Sequence, residues 1–164
     1  MRLTLIPTLA VFALCTQPAF AACTVSGASS LQVKNETVLD TKNGLIWQRC
    51  ASGMAWNEAL ARCTGQPDLM TQTDAVSAAR TKGAGWRLPS GEELEALLSA
   101  ACDGSKVNPA IFPNIAASDF GEGAKFWTTS EALPGMFYYF NFTHHYADMH
   151  SAGFGLSALY VKNR

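Results

Sequence analysis

The chain has 164 residues, with 12 Lys and Arg against 13 Asp and Glu and a formal net charge of −1, a balance that excludes a sequence-wide attraction to nucleic acid or anionic lipid. Beyond the first 21 residues nothing approaches the ~20 apolar residues of a membrane span, and no internal repeat or low-complexity run is present. What remains suits one domain with a single core.

Residues 1–21 read as a signal peptide. Arg2 supplies the positive end, Leu3 to Leu14 the apolar run, and Ala19-Phe20-Ala21 a small-x-small cleavage site. The expected mature protein begins at Ala22 and is periplasmic or secreted. A lipid anchor at Cys23 is the alternative, because Phe20-Ala21-Ala22-Cys23 resembles a lipobox; Phe20 is unusual there, and the polar Thr16-Gln17-Pro18 step separates it from the apolar run. Cys15 leaves with the leader. Cys23, Cys50, Cys63 and Cys102 remain, an even set in an exported chain, and two disulfides in any of three pairings are expected. A zinc site is disfavoured, since no CxxC pair occurs.

Residues 22–36 are small and polar and read as an N-terminal arm; residues 37–164 form the domain. Thr37 to Asp40 and Leu45 to Gln48 flank Asn43-Gly44, a dipeptide that tolerates the positive φ of a hairpin turn, with Trp47 directed inward. Met54 to Cys63 is rich in helix formers and is read as a helix. Asp74 to Arg80 makes a second, capped near Thr73 or Asp74 and ended by Gly83. Pro89 holds Leu88 extended. Ser90 and Glu93 then fit a capping box for a helix that presents Leu94, Leu97, Leu98 and Ala101 on one face, and Trp86, just before it, is expected in the core. Asn108 to Gly123, with two prolines, reads as a long loop pinned by Ile111, Phe112 and Ile115. Trp127 falls in a short strand. Phe137 to Phe142 alternates, so that Tyr138, Phe140 and Phe142 share one face and Phe137, Tyr139 and Asn141 the other. A last strand from about Ala158 to Lys162 is expected to return beside the first hairpin.

Trp86-Arg87-Leu88-Pro89 with Glu93-Leu94 resembles the WRLP-x-x-x-EL signature of the Lcl C-terminal domain family, a group of bacterial secreted and envelope domains. Thr41 to Cys50 resembles that family's "DTxTGLMWxRC", Phe126 to Ser130 its "YWSS", Tyr138 to Phe142 its "WYVDF", and Leu159 to Arg164 its terminal "YVRLVR". The resemblance runs in order from about Thr37 to Arg164. It implies an α+β, C-type-lectin-like fold, with two or three helices packed on short antiparallel sheets and stapled by disulfides, distantly similar to the formylglycine-generating enzyme. It also implies that the Tyr138 face is the buried one. Family members with one of Cys50 and Cys63 tend to have the other, and these two enclose 12 residues; the implied pairing is Cys50–Cys63, leaving Cys23–Cys102.

The functional readings divide three ways. Enzyme chemistry is not expected: the formylglycine-generating enzyme uses cysteines late in its chain, whereas none follows Cys102, no nucleophile elbow occurs, and Glu92 and Glu93 serve the cap. The leading expectation is a non-catalytic recognition domain for a glycan or an envelope protein, through Tyr139, Asn141, His144, His145 and Tyr146. These couple rings that stack with groups that hydrogen-bond. The alternative is a periplasmic accessory protein, either assembling with another envelope component or binding a transition metal through His144, His145, Asp148 and His150. No cofactor is otherwise expected. Gln66-Pro67-Asp68 and Trp56-Asn57-Glu58 look like calcium-site triplets of sugar-binding lectins, but in reverse order, and are read as coincidence.

Overall fold

The structure is a computed structural model that describes residues 30–99 and 107–164. The expected signal peptide and the expected Cys23–Cys102 link lie outside the described residues. Three antiparallel sheets and two α-helices make an α+β domain. The first sheet joins β1 (Leu31–Lys34), β2 (Thr37–Asp40), β3 (Leu45–Gln48) and the last strand, β9 (Val161–Asn163), in the order β1-β2-β3-β9. The return of β9 beside the hairpin follows the sequence expectation. β1 falls within the stretch assigned to the arm, so the sheet begins earlier than residue 37.

Asp40 closes the β2–β3 hairpin. Its carboxylate accepts from the Lys42 and Asn43 backbone N–H groups at 3.0 and 3.1 Å and from the Asn43 amide at 2.7 Å, while Gly44 takes the positive φ of +66°. Trp47 is fully buried.

The segment from Met54 to Cys63 is not a helix. It forms β4 (Met54–Asn57) and β5 (Arg62–Gly65), a hairpin in which Trp56 faces Cys63. Local propensity favours a helix by tenths of a kcal/mol per residue, and three ties override it. The Asn57 side chain accepts from Leu60 N–H to turn the chain, Cys63 N–H donates to Asn114 Oδ1, and Cys63 is joined to Cys50 with Cα atoms 5.6 Å apart. Replacing both cysteines by serine is expected to cost about 2–3 kcal/mol in denaturant unfolding, set by the short loop; a reductant-insensitive midpoint would contradict it.

Helix α1 (Gln72–Thr81) starts earlier than expected, because Thr71 rather than Thr73 or Asp74 is its cap and accepts from Asp74 N–H at 3.1 Å. Ala75 and Ala79 face inward, and Gly83 follows the end with φ +65°. Helix α2 (Gly91–Ser99) has the capping box in full: Glu93 N–H donates to Ser90 Oγ at 3.2 Å, and Ser90 N–H to Glu93 Oε2 at 2.8 Å. Arg87 adds a bidentate pair to the same carboxylate, both contacts at 2.7 Å. Leu94, Leu97 and Leu98 are buried. No helix of the described residues is long and apolar enough to cross a membrane.

Ser90→Ala is expected to cost about 1 kcal/mol, measured as a shifted urea midpoint. Burial alone would raise the Glu93 carboxyl, but the hydrogen bond from Arg87, that from Ser90 N–H and the Arg87 charge together hold it below its ordinary value. A depressed carboxylate stabilises the fold above the unfolded pKa, about 4.3, and that contribution is lost as pH falls through the lower folded value. Glu93→Gln should therefore show a smaller loss of stability on acidification than the parent, and parallel curves from pH 7 to 3 would contradict this. Trp86 is only partly buried and lies 4.8 Å beneath the Lys162 ammonium. Its removal should cost less than the ~3–5 kcal/mol of a core tryptophan.

The chain from 107 to 124 crosses the surface, pinned by Ile111 and Phe112 and interrupted by a 3₁₀ turn (Ile115–Ser118). It leads into the third sheet, β6 (Lys125–Leu133), β7 (Met136–Asn141) and β8 (Tyr146–Ser151), in that order. Here the expected facing of β7 is corrected. Phe126 and Phe140 join one core cluster with Trp47, Leu94 and Leu97, whereas Trp127 and Tyr139 join a second with Ala75, Leu88, Leu156 and Tyr160. Both faces of β6 and β7 are covered around Phe126–Trp127 and Tyr139–Phe140, while β8 stays exposed, so alternation along β7 does not separate core from solvent. Tyr139 and Asn141 are buried, and Tyr138, opposite Met149, is exposed.

Candidate functional site

Asn141 is wholly buried at the end of β7, and its amide is spent on backbone. Nδ2 donates to Glu122 O at 3.0 Å, and Oδ1 accepts from Thr143 N–H at 3.0 Å and His144 N–H at 3.1 Å. This ties the loop from Asp119 to Ala124 onto the β7–β8 turn. Gly123 permits the approach: at φ +92°, a Cβ there would lie 2.4 Å from the Asn141 amide. Asp119 folds the loop from the other side. Its Oδ1 accepts from Gly121 and Gly123 N–H, both at 2.9 Å, while Thr143 Oγ donates to Oδ2 at 3.2 Å. Those backbone donors, with lesser help from Thr143 and the His144 charge, hold the Asp119 carboxyl below its ordinary value.

So braced, the loop holds Phe120 outward, 54% exposed. With Phe154, on the turn after β8, and Leu69, both exposed, it lines one cleft. The cleft has a volume of about 180 Å³ and is lined as well by Leu156 and Ser118, both buried, and by Lys125 and Glu122. Lys125 forms an ion pair with Glu122, which lowers the Glu122 carboxyl, and its ammonium lies 5.5 Å from the Tyr139 ring centre. The Ser118 hydroxyl has no hydrogen-bond partner among the described residues. His150 stacks on Phe154 with ring centres 3.7 Å apart.

The residues expected to bind ligand do not form one patch. Tyr139 is interior; burial, then its hydrogen bond with Tyr146, raises its phenol. Asn141 is structural. Tyr146 remains exposed, its ring edge-on to Tyr139 and parallel to His144 at 6.3 Å. His145, at φ +58° in the turn, lines a different cavity with Phe112, Ile115 and Phe142. Asp148 accepts from Met149 N–H at 2.7 Å, and His150 is stacked on Phe154. Among the described residues no group of three or more His, Cys, Asp or Glu is placed to hold a metal ion, so His144, His145, Asp148 and His150 are not gathered into one site.

Sequence reasoning missed Leu69, Ser118, Phe120 and Phe154. A usable signal existed in Phe120-Gly121 and Gly153-Phe154-Gly155: phenylalanine beside glycine, outside any periodic run, has no core face to join.

The architecture defines a small disulfide-bonded α+β domain with an apolar surface cleft. The Lcl C-terminal domain family model matches residues 36–162, and the chain belongs to that family, as the WRLP stretch and its companion motifs implied. A search of curated proteins finds no match.

Proposed function

We propose that the chain is a non-catalytic recognition domain, exported to the bacterial cell envelope, that binds a glycan or a protein there through the cleft lined by Phe120 and Phe154. The observation that carries this is the convergence of three large, solvent-exposed apolar side chains, Leu69, Phe120 and Phe154, on one cleft. Exposed apolar groups scattered singly need no explanation, but a contiguous set around a concavity marks an interaction site. Bracing of the loop by Asn141 and Asp119 supports the same reading, because a fixed wall loses little entropy on binding. The Cys50–Cys63 disulfide favours an oxidising compartment, and a C-type-lectin-like arrangement remains the fold-level expectation from the family.

The test is binding of the mature protein to a glycan array and, by cross-linking, to envelope proteins, each with and without chelator. A saturable signal indifferent to chelator is expected. Metal-dependent thermal stabilisation with no glycan or protein signal would instead favour an accessory role through the His144 to His150 segment. N-terminal sequencing checks export: the expected start is Ala22, while a blocked, lipid-bearing Cys23 would indicate an anchor.

A further inference from the structure

We propose that the outer edge of β8 is where two copies of this chain meet, pairing antiparallel about a two-fold axis at Met149 so that one sheet runs through both molecules. The proposal stands apart from the cleft reading and starts from an asymmetry of the third sheet. The outer edge of β6 is sealed: Trp127 N–H donates to Ser157 O at 3.0 Å, Ser157 N–H to Lys125 O at 3.1 Å, and Thr129 N–H to Pro89 O at 2.8 Å. β8, at the other edge, pairs with β7 alone among the described residues. It contains no proline and no lysine, and its register against β7 is unbroken from Tyr146 to Ser151. The devices by which an edge ordinarily refuses a further strand are therefore missing from it.

The ladder tells which backbone groups face outward. Ala152 N–H donates to Gly135 O at 2.9 Å, and alternation from that pair makes Phe137 with His150, and Tyr139 with Asp148, the hydrogen-bonded pairs. Ala147, Met149 and Ser151 then turn their backbone groups away from β7. Met149 agrees, since its N–H is held at 2.7 Å by the Asp148 carboxylate. Charge selects both partner and register. Pairing β8 with itself about Asp148 would set the two carboxylates opposite each other, and pairing about His150 would set the two imidazoles together. Centred on Met149, Asp148 of each copy stands opposite His150 of the other, at non-hydrogen-bonded positions where side chains lie closest. His150 Nδ1 is 3.4 Å from Ser151 Oγ, which leaves Nε2 for that carboxylate. As Asp148 turns to it, Met149 N–H is released to donate to Met149 O of the other copy. On the opposite face Tyr138 and Met149 are directly paired and 38% and 36% exposed; across the axis they join their counterparts in one apolar row, which loses water on pairing. A strand of unrelated sequence would have to supply acid, base and apolar centre in this alternation, whereas β8 supplies all three to itself.

Sedimentation equilibrium of the protein from about 5 to 500 µM should fit a monomer–dimer exchange with Kd on the order of 10–100 µM, weak because one strand pair buries little area. Ala147→Pro removes an outward N–H without touching the β7 ladder and should weaken the dimer about tenfold or more. Asp148→His alone and His150→Asp alone each set like groups opposite one another and should weaken it about 3–10-fold. The two together restore unlike pairs and should restore the dimer. Met149→Cys brings the thiols of two copies to a Cα separation of about 5.5 Å, within disulfide reach, so mild oxidation should link the chains, whereas Ala147→Cys, opposite Ser151, should not. A protein that stays monomeric to the top of the concentration range overturns the proposal. So does a dimer that Ala147→Pro leaves intact, that the Asp148–His150 exchange fails to restore, or that cross-links equally through Met149→Cys and Ala147→Cys. Should Ala147→Pro fail to fold, as thermal unfolding will show, the exchange and the cross-links decide.

Discussion

Arg49→Met is expected to destabilise the domain by roughly 3–5 kcal/mol, lowering Tm on the order of 15 °C. Arg49 is 5% exposed, and three of its donors go to backbone carbonyls: Nε to Ile111, one terminal nitrogen to Asn35 and the other to Ala110, each at 2.8 Å. One side chain thereby fastens the β1–β2 turn to the loop that carries Ile111 and Phe112. Its planar cation also lies 3.8 Å from the Trp56 ring centre, a cation–π contact that gains strength out of water. Burial lowers the Arg49 pKa from its ordinary value, yet a guanidinium stays charged, so the hydrogen bonds persist across the working pH range. Methionine keeps the volume and strands all three carbonyls. Arg49→Lys should recover less than half of the loss, because one ammonium cannot reach three diverging acceptors. Thermal unfolding decides; a loss under 1 kcal/mol for Arg49→Met would show that water replaces the guanidinium.

Asn141→Leu should cost about 3 kcal/mol and dismantle the cleft with it. The substitution leaves Glu122 O and the Thr143 and His144 N–H groups without their partner, each a desolvated backbone group worth about 1 kcal/mol or more. It also places a branched side chain against Gly123, whose backbone already lies in contact with the Asn141 amide. The effect should concentrate on the 119–124 loop. Hydrogen exchange should accelerate there and at Thr143 and His144, with α2 and the first sheet little changed. Uniform acceleration would mean that Asn141 supports the whole fold rather than the wall of the cleft.

The contrast between these residues and the expected binding set shows what the sequence can carry. The capping box, the Asn43-Gly44 hairpin, buried Trp47 and the Cys50–Cys63 link were legible because each is fixed within a few residues or, for the disulfide, by family resemblance. The β4–β5 hairpin was not, since the hydrogen bond from Cys63 N–H runs to distant Asn114, and the helix formers from Trp56 to Arg62 outweigh the Asn57 turn in a local reading. Tyr139 and Asn141 were placed outward on the premise that β7 has one buried face. The second core cluster, assembled from α1, Leu88 and the strand-free segment 156–160, covers the other. The cleft was least visible of all. Leu69, Ser118, Phe120 and Phe154 come from three separate loops, and only the fold brings them together.

The affinity of the protein for its array- or cross-link-identified ligand, compared with that of a Phe120→Ala, Phe154→Ala double variant by isothermal titration, tests the role of the cleft most directly. Both side chains are exposed, so the variant should unfold within a few degrees of the parent, consistent with the small cost of surface substitutions. At least a tenfold loss of affinity, the scale of removing two aromatic anchors from an interface, is the expected result. Full affinity in the folded double variant would contradict recognition through this cleft.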